Sequence, residues 1–529
     1  MKFSRQNLVG HGWLLTSLLQ CMLAGGTSLE VSLPPGSSPV QSASLTTSCR
    51  PEDFGEIRSE ITDARPFIQQ ALDAMAAAGG GEVILSGKTY LLGSFQPDGE
   101  ASYTILTPRS RVCIRGVGPA SVLKVGAGLR TRTRGLGVLY GHSAYLEDCS
   151  FADFTVDFNG TGNPNPWNTT ASNVNRMGCS SGARNLFFRN LTFRNAAGAH
   201  FLWISNSERS SQPCEQVHIE HCTFQACGQA LLGNQCSDHS SVFLDARFSE
   251  VTGCSFVQPN LLDQTSTAIE IHESGVTVTA NQIYGYANGI NLGADIKDQH
   301  DVIVLGNVLL EVGQGVALWS MKDYRVSNLV ISSNTFRIRE RALTLGYGIT
   351  GSSTMTSTSN GSGLIISENL FKGPVPGNLP FPNQGILLQR WEDVTIRGNQ
   401  FYRWNGEAIW MSALGTSPHA MRRIVVSGNT FRSCGTSTTL RDSKRVGAFL
   451  GGMTPESAID DITLERNAIY PDAAEGGTPA AIGFDFTGKV TRGGLFDNQV
   501  LGTGMVPHRF NLPGGPSEAF VVRGPTPMP

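Results

Sequence analysis

The 529-residue sequence predicts an all-β solenoid, and three observations carry that prediction. First, the stretch Thr267–Trp319 states one pattern twice: a short strand (AIEIH, GINLG), a turn, a second strand ending in Asn (VTVTAN, VIVLGN), and a hydrophobic residue two places on. Asn281 and Asn307 lie 26 residues apart, and a fixed period of this size marks units that bury their apolar faces only against their neighbours. Second, apolar and polar residues alternate within these segments, which is the period of a strand and not of a helix. Third, the 61 glycines and 16% charged residues suit a turn-rich β architecture.

The net charge of −3 is too small and of the wrong sign for binding a polyanion, so nucleic acid is not an expected partner. At the start of the chain, Lys2 and Arg5 precede the apolar run Gly12–Gly26, which is too short to span a bilayer and reads as a secretory signal over residues 1–26. The Gln before Cys21 departs from a lipoprotein box. No other stretch can cross a membrane, so the expected destination is secreted, extracellular or at the cell surface. Export permits disulfides. Omitting Cys21 from the eleven cysteines leaves ten, seven of them between Cys149 and Cys254. Their spacing fits no metal site and fixes no pairing.

Residues 27–48 are a Ser/Pro/Thr-rich linker. Asp63–Ala78 reads as an amphipathic helix: Asp63 caps it, Pro66 suits its first turn, Phe67, Ala71, Leu72 and Met75 share a face, and Gly79-Gly80-Gly81 stops it.

EDFGEI (52–57), followed by TDARPFIQQALDAMAAAGGGEVILSGKTYLL (62–92), resembles the opening of pectin-lyase-like right-handed parallel β-helix proteins. The shared features are Asp53-Phe54-Gly55, a capping helix ended by glycines, and the strand pair carrying Val83, Leu85, Gly87 and Tyr90. Ile57-Arg58-Ser59 stands where that family usually has Gly-Asp-Gly. The resemblance implies a right-handed parallel β-helix of about a dozen coils over residues 49–506, closed by an N-terminal capping α-helix. It leaves function open, because lyases, hydrolases, epimerases and phage tailspikes share the scaffold. A Pro/Gly-rich tail, 507–529, is expected to leave the helix.

The coil asparagines recur as Asn281, Asn307, Asn334, Asn369, Asn399, Asn429, Asn467 and Asn498, with Cys222 and Cys254 at the equivalent earlier positions. Stacking would align them in one column whose amides satisfy buried turn groups. Insertions at 159–182, 231–241, 351–363 and 373–383 read as surface loops that wall a cleft.

In this superfamily the strand before each turn lines the substrate groove. Alternate outward residues on it give one column of Trp203, Phe243, Glu270, Asn291, Ala317, Thr344, Leu387 and Trp410. A second column holds Ser205, Asp245, His272, Gly293, Trp319, Gly346, Gln389 and Ser412. With coils about 4.8 Å apart, Asp245, Glu270 and His272 converge between exposed aromatics. Aromatic faces receive sugar rings, and two carboxylates can act as acid and base on a glycosidic bond, with crowding expected to raise one of their pKa values. The expected function is therefore a secreted polysaccharide-degrading glycoside hydrolase, with Glu270 as acid, Asp245 as base and His272 orienting one of them. Asp295 and Lys297 reach the same cleft, and Arg390 and Trp410 extend it.

Two alternatives stand beside this. A polyuronide lyase or epimerase would abstract the C5 proton with His272 or Lys297, use Tyr284 or Tyr286 as acid, and admit Ca2+. A non-catalytic glycan-binding protein would keep the groove alone. The motifs of polygalacturonases and classical pectate lyases are absent, and the hydrolase needs no metal or cofactor. Asp153, Asp157 and His200 are weaker candidates, as are Glu392, Trp391, Trp404 and Glu407. The sequons at Asn159, Asn168, Asn190 and Asn360 matter only in a host that glycosylates. No oligomer can be read from the sequence, so a monomer is expected.

Overall fold

The computed structural model describes residues 47–524 except 98–101, 130–134, 142–144, 164–173, 197–199, 206–211, 227–238, 260, 262–265, 296, 321–323, 340–345, 354–360, 375–382, 413–420, 437–445, 452–457, 471–479, 488, 502–504 and 511–518. The signal segment and linker residues 27–46 lie outside the described residues, as do Thr344, Asn168 and Asn360 and most of the expected insertions at 231–241, 351–363 and 373–383; the expected loop 159–182 instead contains the strand Val174–Cys179.

The strands run as three long parallel sheets of 17, 14 and 15 strands. Each coil contributes one strand to each sheet, and each strand pairs with its equivalent in the next coil. In the first sheet Val251, Val278, Val304, Ile331 and Ile366 stack in register. In the second, Phe336, Phe371, Phe401 and Phe431 stack with ring centroids 4.8–5.0 Å apart. In the third, Ile269, Ile290, Val316 and Ile349 do the same. These columns are fully buried and form the interior between the sheets. Like stacks on like because the register brings the same inward position of every coil together.

The asparagines occupy the turn between the first and second sheets. The residue before each asparagine has a left-handed backbone, as at Ala280, Gly306, Ser333 and Glu368 (φ +54° to +65°). That single residue turns the chain and points the Asn side chain inward. The backbone N–H of Asn281 then donates to Asn307 Oδ1 at 3.0 Å, and its Nδ2 donates to the same oxygen at 3.0 Å. Asn307 repeats this on Asn334, and Asn334 on Asn369. Each Nδ2 also donates to a carbonyl of the preceding coil, such as Val251 from Asn281 and Val278 from Asn307. Cys254 joins the ladder through its N–H to Asn281 Oδ1, and Cys222 through its N–H to Cys254 Sγ. Eight cysteines, including these two, are free thiols among the described residues.

The helix, Arg65–Ala77, buries Ile68, Ala71, Leu72 and Met75 over the first coils, whereas Phe67 is only half-buried. Asp63 accepts from the Arg65 N–H at 3.1 Å and from Gly93 N–H at 2.8 Å, tying the start of the helix to the adjacent strand.

The β-helix does not stop at residue 506. Val506–Phe510 pairs with Ile482–Phe486, and Phe520–Arg523 pairs with Gly493–Phe496. Alternating apolar residues (Phe510, Phe520) pack on Phe486 and on each other, which outweighs the turn-rich composition that had suggested a free tail.

Because each ladder amide serves two neighbours, Asn307→Ala strips acceptors from Asn281 and a donor from the Val278 carbonyl. Left unsatisfied, these buried groups should lower stability by about 2–4 kcal/mol, read as a shift in the urea midpoint.

Candidate functional site

The outer face of the third sheet carries the expected columns. Trp203 pairs with Phe243, Phe243 with Glu270, Glu270 with Asn291, and Asn291 with Ala317. The column then continues through Thr350, Leu387 and Trp410. Thr350 takes the position expected of Thr344, and Ser352, not Gly346, pairs with Trp319. The strand there is Tyr347–Ser353, six residues later than its sequence pattern suggested. Apolar alternation over Ala342–Gly346 imitates the strand.

Near the middle of this sheet lies a charge cluster. His272 donates from Nε2 to Glu270 Oε1 and from Nδ1 to Asp295 Oδ1, both at 3.1 Å. Ser240 Oγ donates to the other Glu270 oxygen. Lys297 Nζ lies between Asp245 (2.9 Å) and Glu273 (2.5 Å). Ser205 Oγ is 3.5 Å from Asp245 Oδ2. The strand register explains the convergence: Asp245 and His272 directly follow the paired residues Leu244 and Ile271, and Asp295 and Lys297 follow the next strand, Asn288–Ala294.

The electrostatics differ from the expected crowded pair of carboxylates. Burial by itself would lower the pKa of His272, but its hydrogen bonds to Asp295 and Glu270 outweigh burial and push it up to about 10. Burial would raise Glu270, yet the hydrogen bond and charge of His272, with the Ser240 hydroxyl, hold it below the usual range. Lys297 is also raised: burial opposes its charge, but Asp245 and Glu273 outweigh that. A cation therefore stands between each pair of carboxylates, and the expected rise in one carboxyl pKa does not occur at Glu270. Glu273 and Ser240 were missed by sequence reasoning. Glu273 falls in a turn, and Ser240 lies one column beyond the two that were read.

Aromatic rings wall the cluster. Trp203 stacks on Phe243 (4.1 Å between centroids), Phe243 on His272 (4.6 Å), and Trp319 meets the His272 ring edge-on (5.8 Å). His200 packs edge-on against Trp203, and burial drives its pKa down to about 3, leaving it neutral. Beyond Trp319 opens a cavity of about 430 Å³ lined by Asn288, Asn291, Gln314, Ala317, Leu318, Trp319, Tyr347, Thr350, Leu387 and Gln389. Trp410 pairs with Leu387 one coil further on. Arg390 sits in the turn past Gln389 with φ +60°, its N–H donating to the Ser412 carbonyl.

Several weaker candidates are placed elsewhere. Tyr286 is buried with its hydroxyl 2.7 Å from Ser241 Oγ, and Tyr284 belongs to the second sheet, so neither reaches the cleft. Trp404 is core, and Trp391 is buried with its indole N–H donating to the Gly351 carbonyl. Glu407 is buried beside Gln384, and burial raises its pKa. Asp153 and Asp157 accept from Asn190 and from Arg194 and Asn195. Among the described residues, His218, Glu220 and Glu250 bring ligand-type atoms within 4.8 Å of one another, with His218 paired to Glu250 at 2.6 Å. They belong to the first sheet, not to the groove.

Comparison with solved structures finds the same architecture. A mutant tailspike protein of E. coli bacteriophage HK620 superposes with a TM-score of 0.62 at 15% identity, covering 90% of this chain and 80% of the tailspike. Mutant forms of that tailspike solved with a hexasaccharide and with a pentasaccharide give TM-scores of 0.60 and 0.58 at 16% and 15% identity, each covering 88% of this chain and 78% of the other. The chain folds as a right-handed parallel β-helix. Residues 232–449 of this β-helix match the family model described as periplasmic copper-binding protein (NosD), a segment that contains Glu270, His272, Asp295 and Lys297. No curated protein matches the sequence. No helix among the described residues is long and apolar enough to cross a membrane.

The raised pKa of His272 has a definite sign. Its contribution to stability is fully present below the unfolded value near 6.5 and is lost as pH rises through about 10. Imidazole NMR resonances of His272 should therefore stay in the charged form from pH 5 to 8 and move only in the alkaline range.

Proposed function

We propose that this protein is a polysaccharide-degrading glycoside hydrolase whose reaction centre is Glu270–His272–Asp295. The observation that carries the proposal is the bridging imidazole. Two 3.1 Å hydrogen bonds from opposite sides of one ring put the two carboxylate oxygens roughly 8 Å apart. Inverting glycosidases hold their carboxyl pair about 6.5–9.5 Å apart; here the His272 ring fills the line between the two oxygens, so the sugar and the attacking water would stand in front of the ring. Asp295 thus replaces Asp245 as the partner of Glu270, and the roles change with it.

Glu270 is held as a carboxylate, which suits the base and not the acid first expected of it. It takes a proton from water as the oxygen attacks the anomeric carbon. Neutralising Glu270 removes one of the two counter-charges of His272, so the imidazolium gives up its Nδ1 proton more readily. Asp295, with 30% of its side chain exposed, passes that proton to the glycosidic oxygen as the C–O bond breaks. The proton on Glu270 then returns to the imidazole through solvent. Asp245, Lys297 and Glu273 form the adjoining ion-paired wall.

The stacked Trp203 and Phe243 rings and the edge of Trp319 supply apolar platforms for sugar rings. The saccharide complexes of the HK620 tailspike support a glycan reading of the shared scaffold. The signal-like N-terminus, and a family described as periplasmic, support a place of action outside the cytoplasm. A lyase or epimerase is less well supported. Its base would be His272 or Lys297, and both nitrogens are held protonated by their carboxylate neighbours.

Glu270→Gln should cut the release of reducing ends by about 10²–10⁴-fold while saccharide binding persists. The first product released by the wild type should carry the inverted anomeric configuration by proton NMR. Retained configuration, or activity intact in Glu270→Gln, would remove the proposed mechanism.

A further inference from the structure

We infer that the groove takes a neutral glycan segment and rejects uronides, an inference that rests on reading the groove as a glycan site. Among the described residues, the cavity beside the charge cluster is lined by no charged side chain. Its polar groups are the amides of Asn288, Asn291, Gln314 and Gln389 and the hydroxyls of Tyr347 and Thr350. Amides and hydroxyls match sugar hydroxyls and acetamido groups in both donor and acceptor roles.

Asn291 belongs to this uncharged lining, and its Nδ2 donates to Thr267 Oγ1 at 3.2 Å. The adjacent cluster points the same way. Among the described residues, its four carboxylates (Asp245, Glu270, Glu273, Asp295) face two cations (His272, Lys297), an excess of two negative charges on the far side of Trp319 from the cavity. The two cations are already held by carboxylates, so a uronide entering the groove meets net negative charge in a partly buried setting where screening is weak.

The test is isothermal titration of the full chain with neutral oligosaccharides containing glucose, galactose or N-acetylglucosamine, and with oligogalacturonides of equal length. Glu270→Gln is titrated in parallel to hold the ligands uncleaved. Neutral ligands should bind at least tenfold more tightly, and Trp319→Ala should weaken them at least tenfold. Gln389→Lys, which places a cation in the cavity, should raise oligogalacturonide affinity at least fivefold, a gain that misfolding cannot imitate. Tighter binding of the uronides by the wild type overturns the inference even if hydrolysis is observed. Neutral binding without turnover leaves the inference standing and removes the hydrolase reading. Binding of neither class removes both.

Discussion

The asparagine ladder is the interaction on which the rest of this structure depends. A parallel solenoid must turn between sheets in every coil, and each turn buries backbone groups that water cannot reach. Here one left-handed residue followed by one inward Asn solves the problem identically from Asn281 to Asn498, each amide serving the coil on either side. Because the ladder fixes where each turn falls, it also fixes the register of the strands that follow. A slip of one residue would turn Glu270 and Trp203 inward and Ile269 and Leu202 outward, and no buried polar partner awaits them.

Register in turn converts sequence distance into proximity. Asp245 and Lys297 lie 52 residues apart and form a 2.9 Å ion pair, because each coil returns the chain to the same face. The groove needs this rigidity. A carboxylate, an imidazolium and a second carboxylate keep their spacing only if their strands cannot slide. The ladder amides and the stacked Phe column supply that restraint on the sheets behind the groove.

The fold was legible because its rule repeats. The Asn column, the strand period and the glycine-ended capping helix each announced themselves many times, so one irregular coil could not hide them. The groove columns were legible for the same reason down to Trp319, and failed at Thr344, where an apolar run short of the real strand imitated it. Alternation placed Glu270 and His272 on the outer face, and Asp295 and Lys297 were expected beside them because they lie just beyond the next strand. Their partnership was not, because alternation says which face a residue occupies and nothing about which neighbour its side chain reaches. Reading Asp245 with Glu270 joined two columns diagonally, whereas Glu270 pairs with His272 in its own strand, and Asp245 pairs with Lys297 beyond the next strand but one, beside Glu273 in the turn. The continuation past Val506 was missed because composition describes the average of a segment, and four or five alternating residues suffice for a strand.

The position of the cluster along the solenoid has its own logic. The coils from Cys254 to Asn334 are the shortest in the ladder, with steps of 27, 26 and 27 residues, against 32 before them and 35 after. A 26-residue step is close to the least chain that can cross three sheets and three turns, so such coils have no residues to spare for covering the outer face of their own strands. Longer coils on both sides do. The carboxylates, the aromatic rings and the uncharged cavity all fall on or beside these minimal coils. The repeat is thus most regular where Glu270, His272, Asp295 and Lys297 come together, and the shortest coils hold their strands in the tightest succession.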